Sequence, residues 1–184
     1  MGLGEIGRRA GVSRQAVYLH FSSRAELLNA LTIIEEEADI GRLLAPVFAA
    51  TSGVEALRHL IDAGAQFEPR IHAMVQATLR MQDDPTVVAA NRQRMNARFA
   101  ARQDVIARIE SEGQLATDWD VGTATGFVWS LTAPSTFDLL VVQHGWSARK
   151  WAESTFQLLS DAFIVPTPVD RPTANAHDEA PARP

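Results

Sequence analysis

The sequence predicts an all-α protein: an N-terminal helix-turn-helix head followed by a helical bundle. Three observations carry this. Apolar residues recur at helical spacing along most of the chain, and no segment alternates in the manner of a hairpin strand. Helix punctuation separates the periodic stretches, at Gly11, Thr51-Ser52-Gly53, Pro69, Asp83-Asp84-Pro85, Gly113 and Gly145. Near the start, two short amphipathic segments meet at a tight Gly11-Val12-Ser13 corner.

Taken in order, the first helix spans about 3–10, with Leu3, Ile6 and Ala10 on one face, and Gly11 ends it. Ser13 caps a second helix at about 14–20 by accepting a free backbone N–H, and Phe21 follows as an apolar anchor. Ser23 and Glu26 form a capping box that opens a third helix, carrying Leu27, Leu28, Leu31 and Ile34 toward Gly41. Further helices are predicted at about 54–66, 69–82, 86–112, 119–143 and 148–164. Pro85 suits a first helical turn, Asp118 or Asp120 and Ser147 suit N-caps, and Pro134 is expected to kink the helix it interrupts. From Pro166 the composition turns to Pro, Ala, Thr and Asp, which predicts a disordered tail over 166–184.

Composition narrows the function. Apolar residues make up 46% of the 184, enough for a packed core, and no apolar run approaches a membrane span or a secretory signal. The absence of cysteine excludes disulfides, thiolate catalysis and thiolate metal sites, and fits a cytoplasmic protein. Residues 1–30 hold Arg8, Arg9, Arg14 and Arg24 against Glu5 and Glu26, a net of +2. With a total of −5, the remainder carries −7. A small basic head on an acidic body suits a protein that touches phosphates at one end only.

The informative stretch is Leu3 to Leu31. Ile6, Ala10, Val12, Val17 and Phe21 are spaced to bury against one another, which turns the second helix outward with Arg14, Gln15, Tyr18 and His20 on its free side. A helix of that width fits the DNA major groove. Arg14 can reach guanine edges or phosphate, Gln15 can pair with base edges, and Tyr18 and His20 can donate to phosphate oxygens. Arg24 adds a cation at a helix start, where backbone N–H groups already favour an anion.

At Ile6-Gly7-Arg8-Arg9-Ala10-Gly11-Val12-Ser13, Tyr18-Leu19-His20-Phe21 and Ser23-Arg24-Ala25-Glu26-Leu27 the chain resembles the TetR family of bacterial repressors. Gly7 stands where the family pattern has alanine. The family carries a further helix ahead of this motif, and the sequence opens directly at the motif, so that helix is expected to be absent. The resemblance implies a DNA-binding domain with its connecting helix over 1–40 and a ligand-binding and dimerisation domain over 41–165. It implies DNA contacts from Ser13, Arg14, Gln15, Ala16, Tyr18, His20 and Arg24, a homodimer, and a pseudo-palindromic double-stranded DNA operator. It further implies a small apolar or amphipathic ligand whose binding relieves repression. The alternative is a DNA-independent helical ligand-binding protein derived from such a repressor.

In the body, Met74, Met81, Met95, Phe99, Phe127 and Trp129 could line an apolar ligand cavity or be ordinary core. The long apolar helices at 119–143 and 148–164 would supply the dimer interface through Val121, Phe127, Leu131, Leu139, Trp151, Phe156, Leu159 and Phe163. His59, His72 and His144 lack a second ligand at metal spacing, so no metal is expected, and Glu35-Glu36-Glu37 reads as a solvated face. Gly2-Leu3-Gly4-Glu5-Ile6-Gly7 matches G-x-G-x-x-G, but no strand feeds it and a turn follows at Gly11, so no dinucleotide cofactor is expected. No nucleophile–base pair points to an enzyme.

Overall fold

The computed structural model describes residues 2–165, with side chains at all of these except 29 and 32–39. The tail over 166–184 and the side chains of Glu35, Glu36 and Glu37 therefore lie outside the described residues. The order is α1 (Leu3–Arg9), α2 (Arg14–His20), α3 (Arg24–Ala49), α4 (Gly53–Leu79), α5 (Pro85–Ser111), α6 (Val121–Leu131), α7 (Pro134–Phe137), a π-helical turn over Asp138–Gln143, and α8 (Ala148–Phe163). Among the described residues there is no strand, only an isolated antiparallel bridge between Leu115 and Ile164 that ties the end of α5 to the end of α8.

The caps explain where most helices begin. Ser13, Ser23, Ser52, Asp120 and Ser147 each accept a backbone N–H two or three residues into the helix that follows them. Asp84 caps α5, with Pro85 in its first turn. The box at α3 differs from its expected form. Ser23 Oγ accepts from Glu26 N at 3.1 Å, but the Glu26 carboxylate accepts from Ser22, at both N and Oγ, 2.7 Å each. The same arrangement recurs at α4, where Ser52 caps Glu55 N and Glu55 reaches back to Thr51. These serine and threonine contacts hold both carboxyls below the usual carboxylate range.

The prolines act differently from expectation. Pro69 lies inside an unbroken α4, and α3 runs through Gly41 and Pro46 to Ala49. A mid-helix proline costs about 3 kcal/mol. In α4, packing on both sides of it outweighs that cost: Ala63, Phe67 and Ile71 are buried with Leu43 of α3 in one cluster. Pro134 does not kink a long helix. α6 stops at Leu131, Ala133 is extended, and Pro134 opens the short α7.

The main core lies between α4, α5, α6 and α8, around Leu57, Ile61, Ile106, Ile109, Val128 and Trp151, all at most 1% exposed. Phe137 packs edge-on against Trp151 with ring centroids 5.2 Å apart. Asp138 fixes the π-helical turn to α4, accepting from Gln76 Nε2 at 3.3 Å and lying 3.4 Å from His72 Nε2. Four residues expected at a dimer interface, Trp151, Phe156, Leu159 and Phe163, belong instead to this core. They form the inward stripe of α8, whose helical repeat turns Leu158 outward. No described helix is long and apolar enough to cross a membrane.

Candidate nucleic-acid interface and ligand cavity

α2 is short, and only Val17 of it is buried, at 8% exposure. Gly11 makes the corner before it: φ is +72°, a left-handed conformation that glycine adopts without strain. Val12 N donates to Gly7 O at 3.0 Å, folding the turn back on α1. Arg14, Gln15, Ala16, Tyr18, Leu19 and His20 are all exposed. Arg14, Gln15 and Tyr18 border one open surface hollow, and the Arg14 guanidinium lies 5.2 Å from the centre of the Tyr18 ring.

The other expected contacts are placed as follows. Ser13 Oγ is engaged as the α2 cap, accepting from Ala16 N at 3.0 Å. His20 ends α2 beside Phe21. Arg24 is exposed at the start of α3, on the rim of a small cavity shared with Ile6 of α1, Leu27 and Leu31 of α3, and Ala77 and Met81 close to the end of α4. Arg8 and Arg9 both bond to Glu5, which holds that carboxyl below its usual range.

Helix propensity alone makes Gly7 a defect worth roughly 1 kcal/mol. Its surroundings give it a purpose. A Cβ there would lie 2.8 Å from Val17 Cγ2 and 3.3 Å from Val12 O. Val17 is β-branched and stiff, so it yields at a cost. Gly7→Ala is therefore expected to lower the unfolding midpoint, and adding Val17→Ala to relieve the clash and recover part of the loss. Thermal melts of the three proteins check this; a rise in the single variant would show that propensity governs.

A largely apolar recess of about 250 Å³ lies between α3, α4 and α5. Ile40, Leu44, Leu60 and Phe67 form its apolar side, while Glu68, Arg94, Arg98 and Arg102 supply charge. Arg98 Nη1 donates to Glu68 Oε1 at 3.1 Å. Burial pushes the Glu68 carboxyl above its usual range, and the Arg98 charge pulls against that shift. Arg102 is buried, and desolvation brings its guanidinium down to about 10. Its Nε donates to Thr132 Oγ1 at 2.7 Å.

None of the six apolar residues expected at a ligand cavity lines this recess. Met74 packs on the α3–α4 cluster and Met81 lines the head–body cavity. Phe99 and Trp129 meet edge-on 5.9 Å apart, Phe127 packs edge-on against Trp119 while half exposed, and Met95 is half-buried on α5. Composition had singled out bulky apolar residues and passed over Glu68, Arg98 and Arg102. The signal for the arginines was available in the four-residue spacing of Arg94, Arg98 and Arg102 along α5. Among the described residues, no group of three His, Cys, Asp or Glu stands close enough to hold a metal ion.

An exposed second helix on a glycine corner, borne by a helical body, is the architecture of a helix-turn-helix protein. Residues 1–31 match the family model TetR_N, described as bacterial regulatory proteins, tetR family. The fold matches the ketosteroid transcriptional regulator KstR2 of Mycobacterium tuberculosis at a TM-score of 0.61 and 19% identity, covering 90% of this chain and 86% of that one. It matches the fatty acid degradation regulator FadR from Bacillus halodurans at 0.64 and 15% identity, covering 86% and 83%. A TetR family regulator from Marinobacter aquaeolei matches at 0.58 and 17% identity, covering 89% and 85%. No curated protein sequence matches the chain. The head, residues 1–31, is thus similar in sequence to the tetR family of bacterial regulatory proteins, and the chain shares the fold of the regulators it matches.

Proposed function

We propose that the protein is a homodimeric DNA-binding repressor that reads a pseudo-palindromic operator with α2 and releases it when a small molecule fills the α3–α4–α5 recess. The observation that carries the reading is the exposure of Arg14, Gln15, Tyr18 and His20 on a helix whose one buried residue is Val17. Arg14 and Gln15 reach base edges, Tyr18, His20 and Arg24 meet phosphates, and Ser13 and Ala16 lie at the helix start, where the backbone approaches the duplex. The apolar residues left exposed on α6, the π-helical turn and α8, namely Phe127, Leu139, Val142 and Leu158, supply the surface for a second copy.

α3 connects the two functions. Ile40 and Leu44 on it line the recess, while Leu27, Leu28 and Leu31 line the cavity beneath the head. A ligand that shifts α3 at one end changes the spacing of the two reading helices at the other, provided it binds the two states with a difference of about 1–3 kcal/mol. The test is footprinting on DNA beside the protein's own coding region. A protected, two-fold-related pair of half-sites is expected, with binding that weakens steeply as salt rises. Equal affinity for that DNA and for random duplex would reject operator reading. An operator affinity that no compound in a broad set alters would reject ligand control.

A further inference from the structure

The recess between α3, α4 and α5 is two-faced. Leu44, Leu60 and Phe67 make one side apolar. On the other, the guanidiniums of Arg98 and Arg102 reach the lining together with the carboxylate of Glu68. Four-residue spacing sets Arg94, Arg98 and Arg102 in one row along α5. The row is built rather than incidental. Arg102 is 8% exposed and held by Thr132 Oγ1 at 2.7 Å and by the Arg98 carbonyl at 2.8 Å, so its fork is fixed before any ligand arrives. Arg98 uses one N–H on Glu68 at 3.1 Å, while its guanidinium lies 5.3 Å from the Phe67 ring centre, where the charged and apolar sides meet. A guanidinium offers five donors, so a further acceptor can be bound. Two like charges in a low-dielectric site repel unless anions balance them, and among the described lining residues Glu68 supplies one negative charge.

We propose that this recess binds an amphipathic carboxylate, its apolar part against Leu44, Leu60 and Phe67 and its carboxylate on the Arg98–Arg102 pair, where it competes with Glu68. The assignment deepens the ligand-responsive reading above by naming the chemical class of the effector. A planar carboxylate suits the guanidinium fork, and charge-assisted bonds of this kind are the strong ones. Glu68 acts as the resident counter-ion that keeps the arginines paired when the site is empty of ligand.

The probes are decanoate, decanol and decylamine, which share one apolar chain and differ in the head group. Each is titrated into the full-length protein by calorimetry and by tryptophan fluorescence, because the Arg102 guanidinium lies 5.4 Å from the Trp129 ring centre. Decanoate is expected to bind at least about tenfold more tightly than decanol, and decylamine more weakly than either. Arg98→Gln is expected to remove the preference for the carboxylate. Should that variant fail to fold, Glu68→Gln decides: it is expected to tighten decanoate binding several-fold and leave decanol unchanged, since only the anion competes with Glu68. Equal binding of decanoate and decanol, no binding of decanoate, or a Glu68→Gln variant with decanoate affinity unchanged or weakened would each overturn the assignment. The two readings fail separately. Selective decanoate binding that leaves operator affinity untouched defeats ligand control alone, whereas operator release by decanol as readily as by decanoate defeats the carboxylate assignment alone.

Discussion

Replacing Arg14 and Tyr18 together with alanine is expected to weaken specific operator binding by about a hundredfold or more, each side chain contributing roughly 1–3 kcal/mol. The fold should survive unchanged. Both residues are exposed, and α2 is held to the head by Val17 and by its Ser13 cap, neither of which the double variant touches. The two side chains are a unit. The Arg14 guanidinium stacks 5.2 Å from the Tyr18 ring centre, and a Cβ on Gly4 would lie 3.2 Å from Arg14 Cδ, so the arginine stem also runs close along α1. Either single change therefore disturbs the other residue, and the double loss is expected to fall short of the sum of the singles.

Anisotropy titrations on specific and random duplexes, at several salt concentrations, separate the roles. Loss of discrimination with little change in salt slope marks Arg14 as a base reader; a slope reduced by about one marks it as a phosphate contact. Arg149→Ala, which removes an exposed pair with Glu153 on α8, serves as a control expected to bind like the parent. A double variant that also binds like the parent would show that α2 does not read the operator.

Ala10 and Val12, expected to be buried, are exposed, but the corner and caps of the head were legible in the sequence because their determinants are local. Gly11 needs a left-handed φ, Ser13 and Ser23 cap the next helix within three residues, and Val17 is the apolar residue of α2 that turns inward. Each is decided by neighbours along the chain. The body resisted the same reading because its determinants are distant. Pro69 looks like a helix end until Phe67 and Ile71 are seen packed on Leu43 from another helix. The apolar stripe of α8 looks like an interface until Trp151 and Phe163 are found filling the protomer's own core. Periodicity identifies a face that must be buried and says nothing of what buries it. The charged side of the recess escaped for a related reason. Nothing in the neighbouring sequence marks the pairing of Arg98 and Arg102, because their partners Glu68 and Thr132 each lie thirty residues away along the chain.

Gly53→Ala is a second change, after Gly7→Ala, for which helix propensity and the observed packing predict opposite signs. By propensity, alanine at a helical position is preferred to glycine by roughly 1 kcal/mol. The surroundings of Gly53 reverse this. A Cβ there would lie 2.7 Å from both Ile109 N and Ile109 Cγ1 and 3.0 Å from Ile109 Cα. Two of these three atoms are backbone, so no rotamer change removes the overlap and the start of α4 must move off α5. That movement disturbs a connected set: Gly53 N donates to Glu112 Oε2 at 2.7 Å, Arg108 Nε donates to Glu112 at 2.8 Å, and Arg108 Nη2 donates to Ala50 O at 3.1 Å. Overpacking a rigid contact costs typically 1–3 kcal/mol, and a backbone overlap belongs at the upper end. A loss of about 3 kcal/mol is therefore expected in denaturant titrations. Gly41→Ala supplies the counter-case on the same chemistry. Gly41 is exposed inside α3 and nothing lies within 4 Å of its added Cβ, so a gain of about 0.5–1 kcal/mol is expected. If both substitutions stabilise, α4 and α5 do not cross as closely as Gly53 and Ile109 require, and the floor of the neighbouring core around Leu57 and Ile106 would have to be packed differently.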